Sequence, residues 1–92
     1  MKYAHERLTR VVSVRTLSNT ICAAPGITPM DLSEQTKLPI EETMRALDLL
    51  LRNKLINWAG DESAPVTAMH TDSEIQLQTI TRVTGLDLDR PL

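Results

Sequence analysis

The chain predicts a mainly helical α+β domain: three helices, a two-stranded hairpin and a last helix, in that order. Three stretches carry the prediction. Residues 26–56, GITPMDLSEQTKLPIEETMRALDLLLRNKLI, hold two helical patterns separated by a short proline-containing turn. Residues 55–70 hold two short alternating runs around Gly60-Asp61-Glu62-Ser63, which is turn chemistry. Residues 71–85 open on a capping pattern and close on a glycine.

From about His5 to Ala24, Leu8, Val11, Val12, Leu17, Ile21 and Ala24 recur at helical spacing with Arg7, Arg10 and Arg15 between them. Val11, Val12 and Val14 are β-branched and lower the propensity, and Ser13 and Thr16 leave open a break into two pieces. The arginines read as a solvated face, with phosphate contact as the alternative. Ala24-Pro25-Gly26 ends this helix. Thr28-Pro29-Met30-Asp31 begins the second: the Thr hydroxyl caps an amide three residues on, Pro29 suits the first helical position, and Asp31 faces the positive helix end. Leu32 carries its apolar face to about Thr36. Lys37-Leu38-Pro39 is the turn, because a residue before proline is pushed out of helical geometry. Pro39 starts the third helix, with Thr43, Leu47 and Leu50 toward the core.

Two helices joined by so short a turn form a helix-turn-helix unit. Residues 55–59 then read as a strand and 65–70 as its return, so the hairpin stands where the wing of a winged helix stands. Thr71-Asp72-Ser73-Glu74 reads as a capping box with Thr71 as cap. The helix it opens, 72–84, carries Ile75, Ile80 and Val83 with Leu77 on the flank, and Gly85 stops it. Residues 87–92 read as a loose tail. The expectation is one winged helix-turn-helix domain over 1–92, with its core at 26–56, wing at 55–70 and C-terminal helix at 72–84.

Length and composition limit the function. Ninety-two residues suit one domain with a thin core, which favours a second copy. With one Trp, one Tyr and no Phe, the aromatic platforms of single-strand nucleic-acid binders are missing. The net charge of −2 supplies no global field toward phosphate, so any nucleic-acid contact must rest on a local patch. Cys22, the one cysteine, excludes an internal disulfide and reads as a small buried hydrophobe. No apolar run approaches the ~20 residues of a membrane span and no signal-peptide core is evident, so the expectation is a cytoplasmic protein without a membrane partner. Catalysis has little to rest on. His5 and His70 are isolated, and no cluster has metal-ligand spacing. No glycine-rich phosphate loop is present. Asp87-Leu88-Asp89 lacks further ligands for a cation, and Glu41-Glu42 and Asp61-Glu62 suit a helix start and a turn. The expectation is a non-enzyme without metal or cofactor.

Residues 26–56 resemble the winged helix-turn-helix of bacterial transcription regulators, most closely the IclR type and more loosely the MarR type. That pattern has a Gly-apolar-Thr start, a Leu-small-Glu helix, a Thr-Gly-Leu-Pro turn and a third helix closing on a Gly-Leu-Val-like strand. The matching residues are Gly26-Ile27-Thr28, Leu32-Ser33-Glu34, Thr36-Lys37-Leu38-Pro39 and Lys54-Leu55-Ile56, about a third of the chain. No effector domain follows within these residues. The resemblance implies a homodimer that sets the third helix into the major groove of double-stranded DNA, with Ile40, Glu41, Glu42, Met44 and Arg45 nearest the bases. Arg45 would read bases, while Lys37, Arg52 and Lys54 would hold phosphates. Ile75, Leu77, Ile80 and Val83 would pair subunits. Two departures stand out: Glu41 and Glu42 occupy positions that usually carry Ser, Thr, Lys, Arg or Gln, and the wing has no Lys or Arg. The alternative is a winged helix used as a protein-interaction module, through its acidic third-helix start or an apolar strip including Leu49 and Leu51.

Overall fold

The structure, a computed structural model, describes residues 2–86, with side chains from residue 13 onward. The expected tail at 87–92 and the side chains of His5, Arg7, Leu8, Arg10, Val11 and Val12 lie outside the described residues. Helix α1 runs unbroken over Lys2–Ala23, so Ser13 and Thr16 do not divide it. The Thr20 hydroxyl donates to the Thr16 carbonyl at 2.9 Å within the helix, and the Ser13 hydroxyl donates outward to Glu42. Among the described side chains of α1, Val14, Leu17 and Ile21 are buried together with Ser13 and Ser18.

Helix α2, Pro29–Thr36, begins as its sequence requires. Thr28 Oγ1 accepts from the Asp31 N–H at 3.3 Å, and Pro29 occupies a first-turn position where no amide is needed. Leu32 is fully buried. The turn to α3 is held by Ser33, whose hydroxyl donates to the Leu38 carbonyl at 2.6 Å. Helix α3, Ile40–Arg52, starts one residue later than expected. Pro39 is its N-cap, in extended geometry, and its carbonyl accepts from both the Thr43 N–H and the Thr43 hydroxyl. Thr43, Ala46, Leu47 and Leu50 line the buried side. Leu49 and Leu51 are half-buried and pack against the same core, so they form no exposed strip.

Strands β1 (Ile56–Asn57) and β2 (Thr67–Ala68) pair antiparallel, Ile56 with Ala68 and Asn57 with Thr67. They are shorter than the alternating runs suggested. A further bridge, absent from the sequence expectation, pairs Ile27 with Val66. The Gly26 N–H donates to the Val66 carbonyl and the Val66 N–H to the Ile27 carbonyl, both at 2.9 Å. The segment between α1 and α2 thus extends the hairpin edge. At the hairpin tip, Trp58 Nε1 donates to the Asp61 carbonyl at 2.9 Å.

Helix α4, Ser73–Thr84, is capped by Asp72 rather than Thr71. The Asp72 carboxylate accepts from the Glu74 and Ile75 amides at 2.9 and 3.1 Å. Two good capping residues stand side by side there, and the anionic one takes the positive helix end. Gly85 ends the helix at φ 77°, as expected. The core joins Leu17 and Ile21 of α1, Leu32 of α2, Leu47 and Leu50 of α3, Val66 of the hairpin and Ile80 of α4. Inside it, Gln76 is 1% exposed. Its Nε2 donates to the Leu55 carbonyl at 2.8 Å and its Oε1 accepts from the His70 N–H at 2.9 Å. One side chain therefore ties both ends of the hairpin base to α4. At the level of fold class the chain is α+β and mainly helical.

Candidate nucleic-acid interface

Core packing of Thr43, Ala46, Leu47 and Leu50 turns the opposite side of α3 outward. Glu41, Arg45 and Arg52 are exposed there, and Asp48 lies among them at half exposure. At about 100° per residue these four positions fall within an arc of about 60°. The Arg52 guanidinium is 2.9 Å from the Asp48 carboxylate, a surface i,i+4 pair with most of the arginine still in solvent. Such a pair contributes only ~0.3–0.5 kcal/mol, so it does not commit Arg52.

Glu42 is placed differently from expectation. It is half-buried, and its Oε1 accepts from the Ser13 hydroxyl of α1 at 2.6 Å. Ser13 itself is 2% exposed. Glu42 is therefore a contact between α3 and α1 and is withdrawn from the set that would face bases. Met44 is half-buried beside the charged stripe. Glu41 remains in it.

The ends of α3 carry a feature the sequence did not announce. Lys37 has φ 60° and Lys54 has φ 59°, both in the left-handed region that glycine favours. Lys37 closes α2 just before the turn. Lys54 closes α3: its N–H donates to the Leu51 carbonyl and the Leu55 N–H to the Leu50 carbonyl, the paired bonds of a Schellman motif. Asn53 adds its side-chain amide to the Leu49 carbonyl at 2.8 Å. These are the two positions at which the resembled pattern carries glycine. Here each holds an exposed lysine at a conformational cost of about 1 kcal/mol.

The set expected to pair subunits divides. Leu77 and Ile80 are 8% and 0% exposed and belong to the core, so they cannot meet a second copy without being unpacked. The sequence placed Leu77 on a flank of this helix, whereas it lies in the core beside the buried Gln76. Ile75 and Val83, each 49% exposed, are what remains of that set. The hairpin loop from Trp58 to Val66 has no basic side chain and exposes Asp61 and Glu62. Cys22 is half-buried, with Sγ 3.5 Å from the His70 carbonyl. Burial pushes its thiol above the ordinary value, and the charge of Asp72 adds to the rise. Among the described residues no helix is long and apolar enough to cross a membrane. No protein-family model, curated protein or solved structure matches the chain.

Proposed function

We propose that the chain is a small transcriptional regulator that binds double-stranded DNA through α3. The observation that carries this reading is the pair of left-handed lysines. Lys37 closes α2 and Lys54 closes α3, so the two costly left-handed positions flank α3 in the chain. A side chain retained at each points to a requirement for positive charge on either side of that helix. Lys37 and Lys54 hold phosphates on either side, with Arg52 as a third contact, and exposed Arg45 between them reaches base edges. The withdrawal of Glu42 toward Ser13 supports the same reading by removing one of the two carboxylates expected at the contact.

A second reading, a winged-helix module for protein interaction, is favoured by the hairpin loop, which offers acids and no cation to a duplex. Titration of a duplex with salt separates the two. Three phosphate contacts give a slope of log affinity against log salt of about −3. Absence of duplex binding at low salt refutes the regulator. In a competition assay, Arg45→Ala is expected to lose preference between sequences by about 1–3 kcal/mol while keeping non-specific affinity. Equal discrimination by variant and wild type would remove Arg45 from base reading.

A further inference from the structure

We propose that α3 docks antiparallel against α3 of a second copy of this chain, so that self-association covers the face offered to DNA. Glu41, Arg45, Asp48 and Arg52 follow at steps of four, three and four, which is the spacing of a coiled-coil seam. The seam carries charges in the order acid, base, acid, base. It lies opposite the buried side of α3, with Glu41, Arg45 and Arg52 exposed and Asp48 half-exposed. The weak Asp48–Arg52 pair of one helix must be exchanged for contacts between copies.

In an antiparallel pair of identical helices, positions at equal distances either side of the twofold axis share a layer. With the axis between Ala46 and Leu47, Arg45 meets Asp48 of the other copy and Glu41 meets Arg52 of the other copy. Each of the four layers then joins opposite charges, and none joins like charges. The pattern is complementary to itself reversed, and a parallel arrangement would place like on like. Charge complementarity of this kind sets partner, direction and register more than strength. Half-buried Met44 flanks the seam on one side, while Leu49 on the other side packs against the core of its own chain. Glu42, held by Ser13, stays outside the seam. The docking itself stands apart from the duplex reading, whereas its competition with DNA rests on that reading: a chain paired in this way cannot also seat α3 in a groove.

Sedimentation equilibrium of the full chain at low ionic strength tests it, with far-UV circular dichroism to verify that each variant keeps its helices. The wild type is expected to show a monomer–dimer equilibrium that weakens as salt shortens the Debye length below ~10 Å. R45D and D48R each put like charges into the two central layers and are expected to raise the dimer dissociation constant roughly tenfold or more. Mixed together, those two variants regain opposite charges in every layer, so the mixture is expected to form a heterodimer. A wild type that stays monomeric overturns the proposal. So do single reversals that dimerise as the wild type does, or a mixture that stays monomeric. Duplex titration is a separate measurement, so failure of DNA binding leaves this result untouched, and failure of the dimer leaves the regulator reading untouched.

Discussion

Replacing Gln76 tests whether the hairpin is anchored as the structure indicates. Its strands have two residues each, too short to hold without support. The base is closed by the Met69 N–H to the Leu55 carbonyl at 3.0 Å and by the two bonds of the Gln76 amide. Gln76→Leu keeps the volume and removes both amide bonds. The Leu55 carbonyl still has Met69, whereas the His70 N–H loses its partner. Two hydrogen bonds at ~0.5–1.5 kcal/mol each give a loss of about 1–3 kcal/mol. In a domain of this size each kcal/mol corresponds to about 4–8 °C in melting temperature, read by circular dichroism. Gln76→Glu separates the two bonds. It can still accept from His70 but turns a carboxylate toward the Leu55 carbonyl. Burial and that carbonyl favour the protonated acid, so its folded pKa rises above the unfolded value of ~4.3. Its stability is then full below about pH 4 and falls as pH rises through the folded pKa. The gap to wild type should therefore be wider at neutral than at acid pH. A Gln76→Leu melting temperature equal to wild type, or a Gln76→Glu deficit independent of pH, would refute the anchoring role.

Three further outcomes are expected. Lys37→Gly and Lys54→Gly each relieve a left-handed side chain and should stabilise the fold by roughly 0.5–1 kcal/mol, while lowering the salt slope of duplex binding by about one; destabilisation by either would contradict the strain argument. Ser13→Ala removes the donor to Glu42, a bond to a charged group, and should cost about 1.5–3 kcal/mol in a denaturant melt. No change there would mean that Glu42 does not need α1. For Cys22, the raised pKa means that stability is full below the unfolded value of ~8.5 and is lost as pH rises through the folded one. Cys22→Ala should accordingly lose less stability than wild type on raising the pH above about 9, and parallel loss in both would place the alkaline transition elsewhere.

What the sequence made legible was mostly local. Thr28 and Pro29 placed the start of α2, Pro39 the turn, Gly85 the end of α4, and Leu47 and Leu50 the buried side of α3, because each signal acts within one helical turn. What it concealed was long-range or bore the wrong residue type. The Ile27–Val66 bridge is a single pair with no periodicity to detect. Ser13 and Glu42 are 29 residues apart and each has an ordinary local explanation. Gln76 is polar yet buried, a combination that residue type does not announce, and Leu77 beside it belongs to the core rather than to the expected interface. The left-handed caps at Lys37 and Lys54 were hidden because their usual signal is glycine.

The same two lysines decide how much the charge of α3 matters. Along its exposed seam acids and bases alternate, so at a distance their fields cancel, and the seam by itself draws a phosphate backbone weakly. Attraction to a duplex must come from charges that no acid answers. Lys37 and Lys54 stand outside the alternation, beyond the two ends of α3. A seam that cancels at long range still orders its contacts at short range, where Arg45 can distinguish a base edge from the Asp48 of another copy. On the proposed duplex reading, affinity would come from Lys37 and Lys54 with Arg52 as the third phosphate contact, and selectivity from Arg45. The lysine and Arg45 substitutions should therefore affect different quantities: the former the salt dependence, the latter the ranking of partners.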